Sequence, residues 1–103
     1  DVFAVEEIWL DGDLRQRITA DDLSDSLYQF YRDALGVVIA SVEDRIGVAV
    51  LPAWTPDSFH LRAGHPVGYI ERISWASDGQ PVEFSRTWFD SNKARYVSRM
   101  GKG

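Results

Sequence analysis

The residues that could carry catalytic or metal chemistry are few. His60 and His65, the two histidines, lie five residues apart in a loop rich in proline and glycine, with Asp57 nearby. This spacing leaves a metal site open, although exposed loop histidines are the more ordinary interpretation. The absence of cysteine excludes disulfides, thiolate zinc sites and thiol nucleophiles. No phosphate-binding glycine motif and no G-x-S-x-G nucleophile motif occurs, so the sequence demands neither an enzyme nor a cofactor.

A polar strip on a predicted hairpin is the stronger candidate for a site. Two apolar runs, 68–75 and 81–89, flank an Asp-Gly pair at Asp78-Gly79, which is a strong signal for a β-hairpin. A two-residue turn there pairs Trp75 with Val82, Ile73 with Phe84, Glu71 with Arg86, and Tyr69 with Trp88. These residues share a core-like face, with Glu71 and Arg86 as a cross-strand ion pair. The other face carries Arg72, Ser74, Glu83, Ser85 and Thr87. By itself this strip is either solvated or functional, and a slip of one residue would exchange the two faces.

The rest of the sequence predicts the elements that position this hairpin. Residues 1–10 read as a strand that ends at the turn residues 11–13, and the abrupt start suggests a piece of a longer protein. Thr19 and Asp22 form a capping box that opens an amphipathic helix ending at Gly36. Residues 37–51 predict a long strand, in which Asp44 interrupts an apolar face as a bulge or twist point. A short helical turn is expected from Thr55, and a terminal helix over 92–100.

Length, composition and charge limit the class of protein. A chain of 103 residues with 45% hydrophobic content is one globular domain. A net charge of −5 disfavours contact with a nucleic-acid backbone. No apolar run is long enough to span a bilayer, and the first residues do not form a signal peptide. We therefore expect a cytoplasmic domain without membrane contact.

The hairpin also resembles a known family. The run Gly68-Tyr69-Ile70-Glu71-Arg72-Ile73-Ser74-Trp75, followed by Asp78-Gly79-Gln80-Pro81-Val82-Glu83-Phe84-Ser85, is similar to the hallmark hairpin of UTRA domains. Those are the C-terminal effector-binding domains of HutC-type GntR transcription regulators. Two further segments, Phe3-Ala4-Val5-Glu6 and Asp25-Ser26-Leu27-Tyr28, match other family motifs at about the expected separations. The resemblance spans residues 1 to about 100.

The resemblance implies an α+β fold like that of chorismate lyase, in which helices pack against an antiparallel sheet. It implies a domain that binds a small-molecule effector, commonly forms a homodimer, and controls DNA binding by a separate N-terminal winged helix-turn-helix. On this interpretation residues 1–103 form a single partial effector-binding and dimerisation domain. The DNA-binding domain and the first part of the UTRA domain are expected to be absent from this chain.

The resemblance also assigns the pocket. Glu83 would point into it, Ser26 and Tyr28 would line its helix side, and Glu6 would face it from the first strand. On the same polar strip, Arg72 would orient Glu83, Ser85 would contact the ligand, and Phe89 would line the far end. Arg15 and Arg17 are expected in a loop and do not match the family's phosphate-binding arginines. The usual Asp-Arg-Tyr ending is replaced by Ala94-Arg95-Tyr96.

Two alternatives stay open. One is a chorismate-lyase-like enzyme that releases an aromatic acid, which would need cations around a dicarboxylate substrate. The other is an interaction module of the same fold with a degenerate pocket.

Overall fold

The computed structural model describes residues 2–10, 12–20 and 39–97. These residues form five strands: β1 (Ala4–Leu10), β2 (Asp13–Ala20), β3 (Ile39–Val50), β4 (Pro66–Ala76) and β5 (Pro81–Phe89). All are antiparallel neighbours in one sheet of order β2-β1-β5-β4-β3. β5 therefore lies at the centre of the sheet, between β1 and β4. The predicted strands near 1–10, 37–51, 68–75 and 81–89 are confirmed.

The β4–β5 hairpin has the predicted register over most of its length. Tyr69 is opposite Trp88, and Ile73 is opposite Phe84. The predicted pair of Trp75 with Val82 is wrong, because a bulge after Ser74 places Trp75 opposite Pro81. The connection is also longer than two residues, since β4 ends at Ala76 and β5 begins at Pro81. Gly79 lies in this loop with φ of 83°, a conformation that favours glycine.

The N-terminal half differs from the prediction at β2. Arg15 and Arg17, expected in a loop, lie in this strand, where Arg17 is opposite Glu7 of β1. Thr19 does not cap a helix, because it pairs with Val5 and the strand continues to Ala20. Pairing with β1 outweighs the local capping signal at this position. The remainder of the predicted helix lies outside the described residues.

Three smaller predictions are also wrong. Asp44 is not a bulge, because it pairs in regular register with Arg72, and the irregularity of β3 lies between Ile39 and Ser41. The segment after Thr55 forms a reverse turn, and the Thr55 hydroxyl donates to the Pro52 carbonyl instead of capping a helix. Residues 92–97 form a turn followed by chain without regular secondary structure, where a helix was expected. The helices of the expected α+β fold therefore have no counterpart among the described residues.

The described core has buried clusters on both sides of the sheet, and the cluster on one side includes a loop. The loop between β3 and β4 folds back on the sheet, and the amide of Leu51 donates to the carbonyl of His65. Its side chains join those of β1, β4 and β5 in a buried cluster of Val5, Leu51, Phe59, Val67 and Trp88. The ring of Trp54 meets that of Trp88 edge-on, with 5.8 Å between centroids. We call this side the Trp88 face, and the opposite side the Glu6 face.

Candidate functional site

The Glu6 face collects the polar strip of the hairpin. Side chains alternate between the two faces along a strand, so the cross-strand pairs decide which residues share this side. Glu6 is opposite Thr87, Ile8 is opposite Ser85, and Ser85 is opposite Arg72. This side is not a solvated surface, because most of the strip is buried, and so is the neighbouring side chain of β1: the buried side chains are Ser74, Glu83, Ser85, Thr87 and Glu6. Burying so many polar groups is costly unless they are paired or have a function.

Glu6 is the most unusual of these groups. Its residue is 2% exposed, and its Oε2 atom has no hydrogen-bond partner among the residues that the structure describes. The pKa of Glu6 is raised to about 7, mainly by burial. The positive charge of Arg72 lowers this pKa, and the negative charge of Glu83 raises it. A carboxyl group in this state is close to half-protonated near neutral pH. It can accept a hydrogen bond from a ligand donor, or donate one through its proton.

Glu83 is buried nearby on β5 and is 3% exposed. Its Oε2 atom accepts a hydrogen bond of 2.5 Å from the Ser74 hydroxyl, which is opposite Glu83 on β4. Glu83 acts electrostatically on Glu6, so the two carboxyl groups share one electrostatic environment. The two positions that the UTRA resemblance assigned on β1 and β5 are therefore brought together by the sheet.

Arg72 connects this pair of carboxyl groups to the edge of the sheet. Its Nε and Nη2 atoms donate to the two carboxylate oxygens of Asp44, at 2.7 and 2.8 Å. The Tyr96 hydroxyl donates to the same carboxylate at 2.6 Å. The hydrogen bond from Arg72 holds the pKa of Asp44 below its usual range, although burial opposes this. Asp44 is therefore an ionised anchor for Arg72, and it ties the C-terminal segment to β3.

The other predicted site residues separate into three groups. Ser85 is buried at the centre of the Glu6 face, opposite both Ile8 and Arg72. Phe89 instead belongs to a buried apolar cluster with Ala4 and Ile70. Its ring packs directly over Gly68, where an added Cβ would overlap the ring atoms. Ser26 and Tyr28 lie outside the described residues.

Sequence reasoning missed Asp44 and Tyr96 as parts of this cluster. Asp44 gave a signal, because it is the polar residue in an otherwise apolar alternation on β3. The signal was misinterpreted as a bulge, since a single sequence does not show that Arg72 is opposite. Tyr96 lies 52 residues further along the chain than Asp44, and no local pattern links the two.

The Trp88 face carries a row of alternating charges across all five strands. Successive cross-strand pairs give Arg17, Glu7, Arg86, Glu71 and Arg45 in order. The predicted ion pair of Glu71 with Arg86 is mediated by a hydroxyl: Arg86 Nε donates to the Tyr69 oxygen at 2.7 Å, and Tyr69 donates to Glu71 at 2.8 Å. Arg17 donates to Glu7 Oε2 at 3.0 Å. This row stabilises the sheet on the side opposite the buried carboxyl groups.

The histidine loop has a structural contact. His60 Nε2 lies 2.7 Å from Asp90 Oδ2, and the His60 ring stacks on Phe59. The second Asp90 oxygen accepts from the backbone amide of Asn92. Over residues 2–10, 12–20 and 39–97, no group of three or more histidine and acidic side chains is arranged to hold a metal ion. The contact between His60 and Asp90 therefore joins the end of β5 to the loop after β3. Within the same ranges, no helix is long and apolar enough to cross a membrane.

Comparison with solved structures defines the class of fold. The chain aligns over 96% of its length with the ligand-binding domain of a Bordetella bronchiseptica protein assigned to the GntR family of transcriptional regulators, with a TM-score of 0.68 and 18% identity. The match covers 63% of that chain. It aligns over 95% of its length with Bacillus subtilis YydK, with a TM-score of 0.66 and 23% identity, covering 44% of that chain. At these identities the likeness establishes a shared fold.

Sequence comparison then gives the family. The UTRA domain model matches residues 1–95, so this chain belongs to the UTRA domain family. Over 97 residues it is 47% identical to the HTH-type transcriptional regulator SmoD of Agrobacterium fabrum. That alignment covers 94% of this chain and 42% of SmoD, so the chain spans less than half the length of this relative.

Proposed function

We propose that this chain is the effector-sensing domain of a bacterial transcription regulator, and that its ligand binds on the Glu6 face. The observation that carries the proposal is the buried pair of carboxyl groups, Glu6 and Glu83, in which Glu6 Oε2 has no hydrogen-bond partner within the described part of the chain. An unpaired buried acceptor destabilises a fold by about 1–3 kcal/mol. Such a cost is typical of positions kept for a ligand rather than for stability.

The residues around the carboxyl groups favour binding over catalysis. A chorismate-lyase-like enzyme would need cations for a dicarboxylate substrate, whereas here the Arg72 guanidinium is paired with Asp44 and shares its face with the buried carboxyl groups of Glu6 and Glu83. Membership of the UTRA family and the similarity to the regulator SmoD support the same view. We therefore propose that Glu6, Glu83, Ser85 and Arg72 contribute to a binding site without catalytic function. Ser26 and Tyr28 complete the proposed site, and Phe89 supports it from the apolar cluster.

The activity of the whole protein follows from that of its relatives. The regulator family implies that DNA is bound by a separate winged helix-turn-helix domain, and that this domain, residues 1–103, senses the effector. Effector binding would then change operator affinity by favouring one arrangement of the two domains. A cytoplasmic location and a homodimer formed through this domain belong to the same proposal.

A ligand screen on the purified chain tests the proposal. Thermal unfolding is followed with a panel of sugars, polyols, amines, amino acids and their phosphorylated forms. A compound that binds the native state raises its stability by about 2.7 kcal/mol at a concentration of about 100 times Kd. We expect at least one such compound.

The hit is then measured by calorimetry on two variants. Glu83→Gln should weaken binding by about tenfold or more, with little loss of stability. Glu43→Gln is the matched control, because its carboxyl group is half-exposed and lies on the Trp88 face of β3. A panel without any stabilising compound, or a hit that both variants bind like the native chain, would contradict the assignment.

A further inference from the structure

We propose that Asp44 determines the ligand class of the Glu6 face: by occupying the Arg72 guanidinium, it makes the site select hydrogen-bond donors, hydroxyl or ammonium, and reject anions. The inference rests on the proposed function, since it concerns the same site. It adds a specificity-determining residue on β3 and a chemical class of effector.

The first step is the geometry of Arg72. A guanidinium binds carboxylate or phosphate most strongly when two N–H groups point at two oxygens of the anion. In this chain Nε and Nη2 already make that paired contact with Asp44. The two contacts are charge-assisted and largely shielded from water, because the side chains of Arg72 and Asp44 are 21% and 9% exposed. An anion that used this same pair of N–H groups would have to displace Asp44, whose carboxylate would keep the Tyr96 hydroxyl but lose its ion pair.

The second step is the charge that remains. Glu6 and Glu83 both lie on this face, and the charges acting on Glu6 are those of Arg72 and Glu83. Arg72 has the stronger effect of the two on Glu6, but it is already paired with Asp44, so a ligand anion gains less from its charge and still meets the two glutamate carboxyl groups. A negative ligand group placed there would be repelled in a poorly screened environment. A hydroxyl or ammonium group would donate to Glu6 Oε2, which none of the described residues contacts by a hydrogen bond.

The third step is the spacing. Glu6 is opposite Thr87, which is four residues from Glu83 along β5, so the two backbone positions are roughly 13 Å apart at a rise of about 3.3 Å per residue. Ser85 and Arg72 lie between them on the same face. Side chains that start from two backbone positions this far apart can present their carboxyl groups to two donors of one ligand. A polyhydroxylated or aminated small molecule has this property.

Inorganic phosphate is the probe for the anion-rejecting role of Asp44. The native chain, Asp44→Asn and Glu43→Gln are titrated with sodium phosphate, against sodium chloride at equal ionic strength, and binding is followed by thermal shift and calorimetry. Asp44→Asn should bind phosphate about tenfold or more tightly than the native chain, because it releases the guanidinium. Glu43→Gln makes the same change of net charge on the other face and should behave like the native chain.

Three results would overturn the inference. One is phosphate binding by the native chain that is lost in Arg72→Gln, because it would show that Asp44 does not withhold the guanidinium. Another is a folded Asp44→Asn chain with no gain in phosphate affinity. The third is an equal gain in Glu43→Gln. If Asp44→Asn does not fold, Asp44→Ser tests the same prediction, and the native titration still decides between rejection and binding of the anion.

The ligand screen separates this inference from the proposed function. An anionic hit that needs Arg72 overturns the role of Asp44 and leaves effector binding intact, whereas an empty screen refutes effector binding while the phosphate titration still tests Asp44. The pH dependence distinguishes the two kinds of donor. An ammonium ligand should bind more tightly at about pH 8 than at about pH 6, as Glu6 loses its proton between its neighbours Arg72 and Glu83. A hydroxyl ligand should show no such gain.

Discussion

Replacing Glu6 by glutamine should change how the stability of the chain depends on pH. Glutamine keeps the size of the side chain but cannot ionise. In the folded chain burial raises the pKa of Glu6 to about 7 from an ordinary value of 4.5. Between these two values the folded state holds a proton that the unfolded state releases. The free energy of unfolding of the native chain therefore falls as pH rises through this window.

The size of the effect follows from the pKa difference. Each unit corresponds to about 1.36 kcal/mol, so a difference of about 2.5 units corresponds to about 3 kcal/mol between pH 4.5 and pH 7 or above. The Glu6→Gln chain lacks this loss. The free energy of unfolding of Glu6→Gln, taken relative to that of the native chain, should therefore increase by about 3 kcal/mol from the acidic to the alkaline end of the range.

Urea unfolding of both chains at several pH values measures this difference. A constant offset from lost or gained contacts cancels, because only the change of the difference with pH is used. Glu43→Gln is the control, because it removes a half-exposed carboxyl group from the opposite face of the sheet. Parallel profiles for Glu6→Gln and the native chain would refute the argument, since they would show that Glu6 ionises as readily in the folded state as in the unfolded one.

Three further predictions follow from the contacts around the site. Gly68→Ala should destabilise the chain by about 1–3 kcal/mol in urea unfolding, because the new Cβ would overlap the phenyl ring packed over it. Gly47→Ala on the neighbouring strand should not show this loss, because no heavy atom of the described residues lies within 4 Å of the added Cβ; equal effects would contradict the packing argument. Tyr96→Phe should cost about 1 kcal/mol, because it removes the hydrogen bond to Asp44, and an unchanged unfolding midpoint would show that the bond contributes nothing. Burial raises the pKa of Asp90, but the hydrogen bonds from the Asn92 amide and from His60 together lower it by more, so the pKa lies below the usual 3.8. The stability that the Asp90 carboxylate contributes should be complete above pH 3.8 and be lost as pH falls through the lower pKa of the folded state. The free energy of unfolding of Asp90→Asn should therefore fall less steeply with acidification than that of the native chain, and an unchanged acid dependence would refute this.

The sequence determined the parts of the fold that depend on local patterns. The Asp-Gly turn and the alternation on either side of it predicted the β4–β5 hairpin and most of its register. The β-branched run before Leu51 predicted β3. Local patterns failed where pairing outweighed propensity: Thr19 has the chemistry of a helix cap, yet the backbone groups of β2 are satisfied by hydrogen bonds to β1.

For the site, the sequence determined which residue types are present and the tertiary structure decided their state. The motif resemblance named Glu6, Glu83 and Arg72, but their exposure could not be read from the pattern, because a polar strip fits a solvated face equally well. Burial of that strip is a property of the assembled sheet. The Arg72–Asp44–Tyr96 cluster also joins three distant segments through cross-strand register. The charge that a ligand meets is set by these long-range contacts, because electrostatic interactions depend on distance and burial, which a linear sequence does not contain.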